Sequence, residues 1–152
     1  KYLEAAPAGW ITAATPAGQT NCVIPGTNTT RPECTWALNT TTAVGATSTA
    51  IGTGYANTSA MIAQINLAYA AGTVARAYQG GGKTDWFLPS KDELNQMYLQ
   101  RDVLGINAFG SMYFWSSSED DAGRAWRQSF SYGTQNSSTK LGPASVNPVR
   151  AF

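Results

Sequence analysis

The chain has 152 residues, the size of one ordinary domain, and 43% of them are apolar, enough for a single core. Charged residues make up only 12%, about half the usual ~25%, and the net charge is +1, so the concentrated basic surface on which nucleic-acid binding rests is missing. No window approaches the roughly 18 uninterrupted apolar residues of a membrane span, and membrane insertion is not expected.

A chain with so little charge solvates itself through its Thr, Ser, Asn and Gly residues, a style that fits extracellular and phage-surface proteins. Lys1-Tyr2-Leu3 reads as the middle of a strand, not as a signal peptide, so the sequence is expected to begin inside a larger precursor. Residues 1–56 look irregular, broken by Pro7, Pro16, Pro25 and Pro32. Trp10 and Trp36 are expected to pin this loop-rich layer to the core. Cys22 and Cys34 enclose eleven residues and belong to no CxxC pair. In an oxidising compartment they would close a disulfide loop, and two free thiols are the alternative; the export-like composition favours the disulfide.

Regular structure is expected from Thr58, read as the cap of a helix to about Tyr69 with Met61, Ile62, Ile65 and Tyr69 on one face. Gly72 interrupts it, Val74 to Tyr78 adds a turn, and Gly80-Gly81-Gly82 ends the helical region. The second helix follows Pro89, with Ser90 and Glu93 spaced as a capping box and Leu94, Met97, Tyr98 and Arg101 facing inward as far as Gly105. The period then shifts to two. Tyr113-Phe114-Trp115 reads as a buried strand entering a turn at Ser116-Ser117-Ser118. Ala125 to Phe130 alternates, with Trp126, Gln128 and Phe130 on one face, and Val146 to Phe152 closes the sheet. The order predicts an α+β fold of two helices and a small antiparallel sheet with long loops, in one domain over residues 1–152.

Most catalytic schemes fail on inventory. The chain contains no histidine, which removes the commonest general base and the Ser-His and Cys-His nucleophiles. Gly80-Gly81-Gly82-Lys83-Thr84 imitates the tail of a phosphate loop, but Ala77 stands where a Walker motif requires glycine. Asp92 and Glu93 are explained by capping and Asp85 by a turn, which leaves the loop cluster Glu119-Asp120-Asp121 as the remaining carboxylates. Neither catalytic residues nor a metal site or cofactor is expected. Asn-x-Ser/Thr triplets occur at Asn28, Asn39, Asn57 and Asn136 and matter only in a glycosylating host.

Several stretches in order look like one family: Trp86-Phe87-Leu88-Pro89-Ser90 with Glu93-Leu94, Phe114-Trp115-Ser116-Ser117-Ser118-Glu119, Ala125-Trp126 and the closing Pro148-Val149-Arg150. Together they resemble the bacterial Lcl C-terminal-domain family, named for the C-terminal domain of a collagen-like adhesin. The resemblance implies a C-type-lectin-like fold of the formylglycine-generating-enzyme-like variant, export, homotrimeric assembly and binding of a cell-surface glycan or protein ligand. The motif residues are read as scaffold: Trp115 and Trp126 packed face to edge in the core, Glu119 taking backbone amides or pairing with Arg150.

Between the motifs lie polar residues that no periodicity explains. Asp120, Asp121, Arg124, Arg127, Ser129, Ser131, Tyr132, Thr134, Ser137 and Lys140 are the candidate ligand-binding residues, adaptable side chains on a rigid scaffold. Diversity-generating retroelements rewrite AAC codons of such lectin-fold proteins into Asp, Ser, Gly, Arg, Tyr, Thr, Ala, Leu or Pro, the set that supplies all of these residues but Lys140, so the loops fit diversified recognition. Two other classes stay open. One is a non-binding trimerising cap of a fibre or stalk; the other is a formylglycine-generating-enzyme-like oxidase, which would need reactive thiols at Cys22 and Cys34.

Overall fold

The computed structural model describes residues 2–10, 22–23, 31–65, 70–106 and 112–152. Strands β1 (Leu3–Ala5), β2 (Cys22–Val23) and β3 (Glu33–Thr35) precede helices α1 (Gly54–Ile65), α2 (Ala71–Ala77) and α3 (Lys91–Leu99). Strands β4 (Tyr113–Glu119), β5 (Arg124–Ser129), β6 (Gln135–Thr139), β7 (Pro143–Ser145) and β8 (Val149–Ala151) follow. The class is α+β, as the sequence predicts, with three helices among the described residues in place of two.

One sheet runs β3-β7-β4-β5-β6 with the two-residue β2 at its far edge, and a second pairs β1 with β8. The larger sheet is mixed, because β4 and β7 run parallel where an antiparallel sheet was expected. Two apolar cores flank it. The first gathers Trp10, Trp36, Trp86 and Trp115 with Met61, Val74 and the Cys22–Cys34 pair; the second gathers Phe87, Leu94, Met97, Phe114, Phe130 and Val149.

The tryptophans show how this low-charge interior is satisfied. A buried indole N–H needs an acceptor, and each of these four finds a carbonyl: Trp10 donates to Val146, Trp36 to Ser116, Trp86 to Gly80 and Trp115 to Cys34. Trp10 and Trp36 thus anchor the loop-rich layer as expected. Cys22 and Cys34 form the disulfide that links β2 to β3.

Helix α3 begins as its sequence predicts. The Ser90 hydroxyl accepts from the Glu93 amide, and the Glu93 carboxylate accepts from Ser90 N–H at 2.7 Å and Gly52 N–H at 2.8 Å. Glu93 is fully buried, so this carboxylate also fixes the loop entering α1. Gly54 opens α1 against that cap, where an added Cβ would meet Ser90 N at 2.8 Å and press on the Glu93 carboxylate.

Helix α1 starts four residues before the expected Thr58 cap. Thr58 lies inside it, buried, its hydroxyl donating to Gly54 O and accepting from Leu88 N–H. Gly72 sits within α2, where an interruption was expected. Lys1, Pro16, Pro25, Asn28 and Tyr69 lie outside the described residues.

Ser116-Ser117-Ser118 is strand, not turn, and all three residues are fully buried. The β4–β5 register slips between Trp115 and Glu119, so this stretch lacks regular ladder partners. Small hydroxyl side chains serve there instead. Ser116 donates to Trp126 O, Ser118 donates to Ser48 O and accepts from Lys91 N–H, and Ser117 N–H reaches Pro89 O. A triplet that reads as a surface turn is the stitching between β4, α3 and the 46–50 loop.

Candidate binding surface

The expected ligand-binding residues fall along one β-hairpin. Strands β5 and β6 pair from Arg124↔Thr139 to Gln128↔Gln135, with β6 at the open edge of the sheet. Much of the expected polar loop is thus strand: residues 135–139 form β6 and residues 143–145 form β7. The turn with Asp120 and Asp121 sits at one end, and the turn with Ser131, Tyr132 and Thr134 at the other, about 16 Å away at ~3.3 Å per residue.

On the face toward α3, alternation places Arg124, Trp126 and Gln128 together. The Arg124 guanidinium donates to the Ser137 hydroxyl at 3.1 Å and to its carbonyl at 2.6 Å. The Lys91 ammonium stands 3.5 Å above the Trp126 ring, a cation–π arrangement. Gln128 is buried and donates to Asn95 Oδ1 and Gly133 O, while Gln135 donates to Lys91 O and to Gln128. Trp126 is only half-buried, and it lies over Lys91 and not edge-on to Trp115 in the core as expected.

The opposite face carries Arg127, whose Nε donates to Asn136 Oδ1 at 3.0 Å and whose guanidinium lies 4.1 Å from the Tyr113 ring centre. Asp120 and Asp121 are exposed, and the Asp121 carboxylate accepts from Gly123 N–H to shape its turn. At the other turn Tyr132 is 79% exposed, and Ser131 and Thr134 are exposed with it. Gly133 has φ of +77° and lies so close to the Tyr98 ring that a Cβ there would clash.

Two of the ten candidates do not face solvent. Ser129 is buried, its hydroxyl accepting from Tyr132 N–H to form the turn. Lys140 is fully buried against Glu119, Nζ to Oε1 2.5 Å, and it also donates to Ala122 O beside the Trp36 ring. Glu119 takes Val44 N–H and Gly45 N–H as well, so the expected backbone amides are there, but its cation is Lys140, not Arg150. Arg150 instead bridges Asp85 and Glu4. Its hydrogen bond to Asp85 holds that carboxyl below the ordinary 3.8, against a smaller upward push from desolvation.

Lys91, Trp126 and Gln135 on the α3 face, and Tyr113 and Asn136 on the opposite face, adjoin the hairpin and were not among the expected site residues. The period of two in Arg124-Ala125-Trp126-Arg127 already sets Trp126 beside Arg124, so that residue was within reach of pattern reasoning. Lys91 was not, because its approach depends on how α3 packs. The assembled groups are guanidinium, amide, hydroxyl, phenol and indole, which suit hydrogen-bonded and stacking recognition. Among the described residues no helix is long and apolar enough to cross a membrane. No protein-family model matches the chain, and no curated protein matches it.

Proposed function

We propose that the chain is an extracellular or virion-surface binding module that recognises a cell-surface glycan or protein ligand through the β5–β6 hairpin and its two turns. The observation that carries this reading is preorganisation. Arg124 and Arg127 are each locked by hydrogen bonds to β6, at Ser137 and Asn136, on a strand pair at the open edge of the sheet. Side chains already held in one geometry lose little freedom on binding. Tyr132 adds a large exposed aromatic at the tip, suited to a hot spot.

Under this reading the fold is the C-type-lectin-like variant of the Lcl C-terminal-domain family, assembled as a homotrimer, with the hairpin residues open to retroelement diversification. The Cys22–Cys34 disulfide supports binding over catalysis, because it occupies both cysteines of the chain and leaves no reactive thiol for an oxidase.

A glycan array and intact-cell binding, combined with mass in solution, test the proposal. Arg124→Ala, Arg127→Ala and Tyr132→Ala are each expected to weaken binding about tenfold or more, the effect of losing ~1.4 kcal/mol, with the melting temperature little changed. A trimer that binds nothing would make the module a cap, and binding insensitive to all three substitutions would move the site elsewhere.

A further inference from the structure

Burying a guanidinium without a counter-charge is costly, and natural proteins rarely do it. Arg31 is 4% exposed and takes part in none of the ion pairs among the described residues. Its Nε donates to Asn147 Oδ1 at 2.8 Å, and its guanidinium lies 5.6 Å from the Phe114 ring centre. Its Nη2 is buried without any hydrogen-bond partner. The Asn147 amide is oriented for this contact, because its Nδ2 is held by Ala6 O and Pro148 O and its oxygen is left for Arg31.

A second orphan lies beside the same ring. The Ser145 hydroxyl is also buried and unpartnered. Ser145 on β7 is the parallel partner of Phe114 on β4, so their side chains share one sheet face, the face over which Arg31 lies. The nearest carboxylate by register is that of Glu33, paired with Ser145 across β3 and β7, and it makes no ion pair with Arg31. Desolvation is what pushes the Arg31 guanidinium below its ordinary range, with no carboxylate acting against it. The place is the seam between the two sheets, where residues 146–148 lead from β7 to β8 and Ala6 N–H bonds Pro148 O.

We propose that Arg31, with the Ser145 hydroxyl, forms a site for one small free oxyanion, separate from the hairpin surface and bound at the junction of the two sheets. Such an anion takes the unpaired Nη2 donor and the serine O–H and neutralises the buried cation. Because it binds the folded chain alone, it stabilises the fold by mass action.

Thermal unfolding at constant ionic strength tests this, with sodium sulfate, phosphate or acetate replacing sodium chloride in separate arms. The wild-type midpoint is expected to rise with saturation, by about 5–10 °C near 100 times Kd. Arg31→Met should abolish the saturable part and leave only the linear salt effect. Ser145→Ala should weaken anion affinity severalfold while the anion-free protein stays as stable as wild type. Sulfate and phosphate acting without acetate would define a tetrahedral oxyanion, and acetate acting too would define a carboxylate site. Identical salt responses in wild type and Arg31→Met would overturn the proposal. So would a loss of stability in Glu33→Gln with no anion dependence, since Glu33 would then be the counter-charge. If Arg31→Met fails to fold, the Ser145→Ala titration alone decides: unchanged anion affinity sinks the site.

Discussion

Two buried cations in this molecule receive opposite treatment. Lys140, between β6 and β7, is enclosed by a carboxylate, a carbonyl and an indole face, and its Glu119 partner takes two further amides. Arg31, at the seam of the two sheets, has one amide oxygen, one phenyl ring and an empty-handed Nη2. The contrast teaches that burial alone says little about a charge, and that the completeness of its partners separates a structural role from a recognising one.

Removing the cation from the Lys140 enclosure has the largest expected effect. Lys140→Met leaves the Glu119 carboxylate buried and without its cation, and is expected to cost about 3–5 kcal/mol by urea unfolding. Replacing both groups, as Lys140→Met with Glu119→Leu, should recover part of that loss, the remainder reflecting the stranded Val44 and Gly45 amides. A single substitution costing less than about 1 kcal/mol would mean that the pair is solvated after all.

Next in size is Gly54→Ala. Its methyl group would be forced into the Ser90 amide and the Glu93 carboxylate, and the expected loss is about 1–3 kcal/mol by thermal or urea unfolding. A neutral result would show that the α1–α3 junction yields more easily than the Lys140 enclosure.

Arg150 offers the weakest contrast, a cation paired at the surface. Asp85 has a folded value depressed by Arg150, so its contribution is present above the ordinary 3.8 and fades as pH falls through the lower folded value. The melting difference between wild type and Asp85→Asn should therefore be small, constant from neutral pH to about pH 4, and vanish in stronger acid. High salt should shrink it at neutral pH, since both carboxylates that Arg150 bridges are about half exposed. A difference that grows in acid would contradict the assigned sign.

What the sequence made legible follows the range of each interaction. The Ser90–Glu93 capping box spans three residues and was readable at once. The alternation of β5 was readable too, and so was the anchoring of Trp10 and Trp36. The Glu119–Lys140 pair was not, because it joins residues 21 apart through a fold-dependent enclosure, and Lys140 looked like one more surface charge. The serine triplet and the 135–139 strand misled for a related reason. Their polar residues suggest loop, yet a register slip in one case and an exposed sheet edge in the other make polar strands workable. The Lys91 and Tyr113 contacts to the hairpin come from packing across elements, which no local pattern reveals.

The pairing of β1 with β8 has a mechanical corollary. Tyr2 and Phe152 exchange both backbone hydrogen bonds, at 2.9 and 3.1 Å, and their rings stack 6.0 Å apart. Force pulling residue 2 away from residue 152 meets these bonds one after another, as a zipper does, instead of loading them all together. A pull of this kind therefore loads one residue pair at a time, while β5, hydrogen-bonded on one side to β4 and on the other to β6, shares its load between two neighbours.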